Sequence, residues 1–310
     1  MEVRLIISLL LIVLPSVIWL FIKQIHSPWW LENILSTSFI ILAIYIILML
    51  MVIYFVPNIH YLSYFLINFI LALLLNNTVN FSNIDCTKPV IFFQFNMKYS
   101  EKEHQLNELI EHLISTPYHL ITLQGVSRQI KREIVDKLSP HYPYFILGEH
   151  ESQQVYSDQL LFSQYGFSNI KYYPEGHNSF LITSQWKLPF SDIKLHTLHP
   201  PSPRSEKLWQ TRNKTLYQLK DSLKSSLLKN SLVTGDLNLS GHSGRIELLK
   251  QQMNTEIINS WPNNLFTPSL FGLAIDHFWV SKPATICSRE RIDKFSWSDH
   301  YAIKTQVEFK

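Results

Sequence analysis

The chain is 310 residues long, 46% hydrophobic and 16% charged, with a formal net charge of +3. A charge this small excludes a surface that coats nucleic acid, and two cysteines with no CxxC or Cys/His cluster exclude a structural zinc site. There are no internal repeats and no low-complexity tract. Cys86 and Cys287 leave both a disulfide and two free thiols open.

The charges are unevenly placed. Only Glu2, Arg4, Lys23, Glu32 and Asp85 precede Cys86, so the remainder carries 25 Lys+Arg against 21 Asp+Glu, a net +4. The 52 residues from Asn33 to Ile84 contain no formal charge. Three apolar stretches, Leu5–Ile22, Ser38–Val56 and Tyr61–Leu75, read as membrane helices, since a hydrocarbon core of about 30 Å needs about 20 helical residues. The third is short unless it tilts or borrows Phe55 and Val56. Pro57-Asn58 supplies the turn between the second and third, and Trp19, Trp29, Trp30, Tyr54, Tyr61 and Tyr64 sit near their ends, at headgroup level. No small-x-small cleavage site follows Ile22, which favours a retained anchor over a signal peptide. Arg4 and the amino terminus give a small positive bias, so three crossings place the rest outside the cytoplasm. The expectation is a membrane anchor over residues 1–80, with the lipid bilayer as its partner, and a soluble domain over residues 86–310.

From Pro89 onward, strands alternate with helices. Val90–Phe95 has strand length. Ser100-x-x-Glu103 has the pattern of a capping box before a helix with Leu106, Leu109, Ile110 and Leu113 on one face. His119–Leu123 reads as a strand, and Ser127 caps a helix carrying Ile130, Ile134 and Leu138. Gln159–Ser163, Asn169–Tyr173, Phe180–Thr183 and Ile193–Leu198 read as strands, Lys207–Lys229 as a long helix, and Leu232–Leu237, Ala274–Ser281 and Tyr301–Phe309 as closing strands. The mixture implies an α/β core of two sheets flanked by helices.

Polar clusters stand at the strand ends, where catalytic groups tend to sit. In order they are Asn96, His199-Pro200-Pro201, Gly235-Asp236-Leu237-Asn238, Asp276-His277 and Ser298-Asp299-His300. Each alone is weak; their order is the signal. The segments VTGDLNLS, AIDHFWVS and WSDHYAI resemble the GDxN, iDHxxvS and SDHxP blocks of the endonuclease/exonuclease/phosphatase (DNase I-like) family. FFQFNM resembles that family's first strand, and LLFSQYGF its lSRyP segment with Gln164 in place of Arg. HTLHPPSP and RNKTLYQL look like a membrane-anchored bacterial branch, which implies the bacterial inner membrane.

The resemblance implies a four-layer α-β-β-α sandwich of two mixed sheets and metal-dependent hydrolysis of a phosphoester bond, by Mg²⁺ or Mn²⁺. It places Asn96 and Asp299 at the metal. Asp236 would orient or deprotonate the attacking water, and Asn238 would hold that water or a phosphate oxygen. His199 would hydrogen-bond the phosphoryl group, and His300 would stabilise charge on phosphorus with Asp276 fixing its tautomer. Such groups suit the chemistry, because attack on an anionic phosphoester needs donors and cations on the phosphoryl oxygens. His277 is expected to be packed or to support the site from behind.

One departure matters. The family's second strand ends Leu-Gln-Glu with that Glu as principal metal ligand, whereas this chain reads Leu123-Gln124-Gly125. Either Glu149, Glu151 or Asp158 replaces it, or metal binds more weakly, or the domain is a catalytically impaired module that binds a phosphorylated ligand or protein partner. An unfilled gap is expected beside Gly125. The substrate type stays open, and no protein partner is inferred.

Overall fold

A computed structural model describes residues 84–309 except 151–154, 176–179, 225–229, 242, 265–271 and 283, together with Ile25, residues 27–36 and 47–51, and Tyr54. The three apolar stretches therefore lie outside the described residues, apart from residues 47–51 and Tyr54, which are helical. Among the described residues no helix is long and apolar enough to cross a membrane. The chain divides into two compact units, one of Met1–Val79 with Ser240–Glu247 and one of Asn80–Leu239 with Leu248–Lys310. In the first, helix α1 (Trp29–Ser36) buries Glu32, whose Oε1 lies 2.7 Å from Arg245 Nε.

The second unit begins β1 (Val90–Asn96), α2 (Glu103–Ser115), β2 (Leu120–Gln124) and α3 (Arg128–Leu138). Short strands β3 (Tyr144–Ile146), β4 (Glu149–His150) and β5 (Val155–Tyr156) precede β6 (Leu160–Ser163), β7 (Phe167–Pro174), β8 (Phe180–Lys187) and β9 (Asp192–Leu198). Helix α4 (Glu206–Lys224) leads to β10 (Ser231–Asp236), β11 (Met253–Thr255), β12 (Asp276–Ser281), β13 (Thr285–Ile292) and β14 (Ala302–Glu308). Two six-stranded sheets result, in the orders β13-β14-β1-β2-β6-β3 and β11-β12-β10-β9-β8-β7. Both are mixed: β1–β2 and β9–β10 run parallel, each pair joined across a helix, while their outer neighbours run antiparallel.

Strand alternation sorts the core. In β1, Phe93 and Phe95 face a cluster with Leu106, Leu109 and Leu113 of α2 and Ile130, Ile134 and Leu138 of α3. Val90 and Phe92 face the other way, into a second cluster with Phe180, Ile182, Trp186, Leu195, Leu232 and Phe278 of the opposite sheet. Helix α4 lies on that sheet's outer face, where Ser222 Oγ is 3.1 Å from His196 Nε2 of β9. Truncating a buried ring such as Phe92 to Ala costs about 3–5 kcal/mol.

Polarity rises along the inner faces toward one end. After Val90 and Phe92 come Gln94 and Asn96; across from them, Leu232 gives way to Thr234 and Asp236. Thr234 Oγ1 donates to Gln94 Oε1 at 3.0 Å, and Asn96 Nδ2 to Asp236 Oδ2 at 2.9 Å. The sheets are glued by hydrocarbon at one end and meet through polar groups at the other.

One local expectation is corrected. Ser100 does not cap α2: Lys102 is the N-cap residue, without a side-chain hydrogen bond, and Ser100 Oγ instead binds Gln105 Oε1. Ser127 does cap α3, accepting from Gln129 N. Cys86 and Cys287 are disulfide-bonded with Cα atoms 5.9 Å apart, which fastens the segment ahead of β1 to edge strand β13.

Candidate active site

Every polar cluster singled out in the sequence reaches the same end of the sandwich. Asn96 ends β1, Asp236 ends β10, and Asp276 opens β12 directly opposite Asp236 in the antiparallel register. His199 follows β9. Gly235 allows this crowding: its φ is +142°, and a Cβ there would stand 2.0 Å from Leu198 O, one residue before His199. His300 precedes β14 and is fixed by Ser298, whose Oγ accepts from His300 N at 3.1 Å and donates to Asn96 O at 2.7 Å.

Asp236 stands between two imidazoles. Its Oδ2 lies 3.6 Å from His199 Nε2 and 3.7 Å from His300 Nε2, close enough to attract charge but too far for closed hydrogen bonds. Each ring is held from behind by its own carboxylate. His300 Nδ1 is 2.7 Å from Asp276 Oδ2, and His199 Nδ1 is 2.9 Å from Asp158 Oδ2. The arrangement is nearly symmetric, Asp158–His199 on one side and Asp276–His300 on the other.

Burial disfavours charge on His300, but Asp276 outweighs it, helped by Asp236 and Asp299, and the ring is pushed up to about 9. Burial likewise opposes a charged His199, and Asp158 and Asp236 raise it well above the usual range. Burial would raise Asp236, yet its two imidazoles and the Asn238 N–H bring it down to about 2. The carboxylates thus favour the protonated form of both rings, and the rings favour the charged form of Asp236.

A cleft of about 470 Å³ opens over this centre, lined by Asn96, Lys98, Tyr99, Asp158, His199, Pro200, Arg204, Asp236, Asn238, Asp299 and His300, among others. Asp276 does not line it and acts through His300. Asn238, at φ +46°, donates Nδ2 to Pro200 O at 2.9 Å, so its amide positions the turn after His199. His277 packs behind, 2.6 Å from Leu239 O and accepting from Trp279 Nε1, and burial pushes it down to about 4.

Sequence reasoning gave Asp158 only as one of three replacement acids. The structure brings it to the cleft, where Tyr99 Oη also donates to it. Glu149 instead pairs in β4 with Tyr156 of β5, and Glu151 lies outside the described residues. Lys131, buried in α3, donates to the carbonyls of Ser157 and Gln159 on either side of Asp158. Lys98, Tyr99 and Lys131 were missed altogether. Burial of Lys131 is a property of the fold, and no spacing in the sequence singled these three residues out.

The expected gap beside Gly125 is absent. Gly125 follows β2 at φ +59°, and a Cβ there would lie 2.5 Å from Asn96 Oδ1 and 3.0 Å from Lys98 N. Asn96 fills that space.

A hard dication needs free oxygen donors. Asn96 Oδ1 accepts from Lys98 N at 2.9 Å, Asp299 Oδ2 lies 3.2 Å from both Lys98 Nζ and Trp261 Nε1, and Gly125 offers no side chain. Asp236, Asp276 and His300 also gather ligand atoms within 4.8 Å of one another, but His300 Nδ1 and Asp276 Oδ2 are bound to each other at 2.7 Å. The donor set does not fit a divalent ion.

The two-sheet sandwich and its Asp/His centre define a phosphoester-handling class of α/β protein. A profile of the Endonuclease/Exonuclease/phosphatase family matches residues 83–300, and the chain belongs to that family, whose enzymes commonly use divalent metal ions. Similar solved structures include an endonuclease/exonuclease/phosphatase of Beutenbergia cavernae (12% identity, TM-score 0.56, covering 72% of each chain). D. rerio TDP2, crystallised with a single-strand DNA product, is 15% identical at TM-score 0.57, covering 72% of this chain and all of its own. A mannosyl-6-phosphatase of Bacteroides thetaiotaomicron is 11% identical at TM-score 0.56, covering 71% of this chain and all of its own. At these identities the likeness concerns the fold. No curated protein matches the sequence.

Proposed function

We propose that the chain is a membrane-anchored hydrolase of phosphoesters, acting outside the cytoplasm. The observation that carries the activity is Asp236 held between two carboxylate-backed imidazoliums at the floor of an open cleft. The ionisable groups lining the cleft are Lys98, Arg204 and the two imidazoliums against Asp158, Asp236 and Asp299, one positive charge in excess, which suits an anionic phosphoester.

Asp236 orients a water toward phosphorus and takes its proton as the new P–O bond forms. His199 and His300 donate to the phosphoryl oxygens, where charge develops, and an imidazolium gives the leaving oxygen its proton as the ester bond breaks. Mg²⁺, which the resemblance implied, takes no part in this scheme, because Gly125 supplies no carboxylate and Asn96 Oδ1 already accepts from Lys98 N. That same loss favours a second reading, a module that binds a phosphorylated ligand without cleaving it.

The location rests on the uncharged run Asn33 to Ile84 and on the disulfide, a bond that persists in oxidising compartments. A C-terminal reporter active only in the cytoplasm should stay silent; signal from it would overturn the location. For the activity, hydrolysis of bis(4-nitrophenyl) phosphate and a phosphomonoester by the full-length chain is compared with Asp236→Ala. The hydrolase reading expects turnover that the variant loses. Phosphate binding without turnover would move the conclusion to the binding module.

A further inference from the structure

Resting on the phosphoester reading, we propose that the ammonium of Lys98 takes the place of the divalent ion in this chain and binds the substrate's phosphoryl oxygens directly. Three observations converge on it. Lys98 lines the cleft, and its Nζ stands 3.2 Å from Asp299 Oδ2, at the carboxylate expected to lie at the metal. Its side chain is 59% exposed, so the charge is accessible to a ligand and is not consumed by a buried ion pair.

The second observation is the turn that presents it. Lys98 and Tyr99 both adopt positive φ, +51° and +56°, a conformation costing a non-glycine residue roughly 1–2 kcal/mol. The surroundings over-determine it. Asn96 Oδ1 accepts from Lys98 N at 2.9 Å, Met97 N donates to Gln124 O at 2.8 Å, and Tyr99 N donates to Gly125 O at 2.7 Å. Two consecutive strained residues held at a cleft are a sign of function when the observed strain leads the argument.

Third, the turn and the missing carboxylate are one change. A Cβ on residue 125 would sit 3.0 Å from Lys98 N and 2.5 Å from Asn96 Oδ1. The glycine that removes the ligand is what lets the Asn96–Tyr99 turn close over β2. An acid at 125 would displace the Asn96 side chain and crowd Lys98 N, besides adopting a positive φ, while a metal and an ammonium beside Asp299 would repel each other.

The test uses the full-length chain as wild type, Lys98→Met and Lys98→Arg. Inorganic phosphate binding is measured by calorimetry with EDTA present, and Mn²⁺ binding by electron paramagnetic resonance. A charge-assisted contact implies that Lys98→Met weakens phosphate about 10-fold or more while Lys98→Arg stays within about threefold. EDTA should leave wild-type phosphate binding unchanged, and no bound Mn²⁺ should appear below about 1 mM, since the carboxylate at 125 is missing and Asn96 Oδ1 is engaged. Phosphate binding abolished by EDTA, micromolar Mn²⁺ binding by wild type, or a Lys98→Met protein that binds phosphate normally would each overturn the proposal. Phosphate binding that behaves as expected with no ester turnover would sink the hydrolase reading and leave the lysine's role standing.

Discussion

The cleft has two flanks that have been treated differently. On the histidine flank every charged group has a dedicated partner: Asp276 behind His300, Asp158 behind His199, and Asp236 between the rings. All five are largely buried. On the opposite flank, Asn96, Gly125, Asp299 and Lys98 offer one amide, a glycine whose flank Asn96 occupies, and a partly exposed ion pair. In the proposed reaction the histidine flank stabilises charge on phosphorus, whereas the other carries a tight turn bearing a cation where the family has a carboxylate. The flanks meet at Asn96, whose Nδ2 donates to Asp236 Oδ2 at 2.9 Å, and at Asp299, whose charge helps to raise His300, so a change on one is felt by the other.

The comparison breaks hardest at the imidazoles. His300→Ala or His199→Ala should lower kcat/KM for a phosphodiester by roughly 100–1000-fold, since each removes a donor aimed at developing charge. The double variant should lose less than the product of the two, because both act on one centre. Equal activity in either single variant would show that the flank is not the reacting one.

A smaller effect is expected one step back. Asp276→Asn leaves His300 in place but removes the charge that holds its proton, so activity should fall roughly 10–100-fold. The alkaline limb of its pH–rate profile should also move down from about 9. A purely structural role for Asp276 would lower activity without moving that limb.

Stability carries the same signature. His300 is raised in the fold from the usual 6.5 to about 9, so its contribution is fully present below 6.5 and is lost as pH rises through 9. Asp236 is depressed from the usual 3.8 to about 2, so its contribution holds above 3.8 and is lost as pH falls through 2. Urea melts should therefore show the His300 loss, on the order of 3 kcal/mol, between pH 6.5 and 9, and Asp276→Asn should flatten that slope.

The smallest effect sharpens the other flank. Gly125→Glu should cost at least about 1–2 kcal/mol for the positive φ, before any overlap with Asn96, and should not create Mn²⁺ binding. A stable variant that binds the ion would show that the turn yields easily.

How much of this was legible beforehand follows the same division. The histidine flank was readable because GDLN, IDH and SDH lie on strand ends, where period-2 alternation decides which side chain reaches the cleft. The Asp276–His300 pair was expected, and the structure holds it at 2.7 Å. Strand β13 was missed because Arg289, Glu290 and Arg291 mask an edge strand. Asp158 and His199 meet across 41 residues through a loop, and nothing in spacing encodes that. Gly125 was recognised as a departure, but its expected gap was wrong, since local backbone φ and the Asn96 rotamer do not show in a tripeptide. Lys98 was unreadable for the same reason: a lysine in a turn is ordinary until its neighbours are known.

The central claim is that two imidazoliums flank Asp236 at neutral pH. Nitrogen-15 NMR of the histidine rings in the full-length chain tests it most directly. Both His199 and His300 should be doubly protonated at pH 7, with His300 titrating near 9 and moving toward 6.5 in Asp276→Asn. A neutral His300 or His199 at pH 7 would contradict the account.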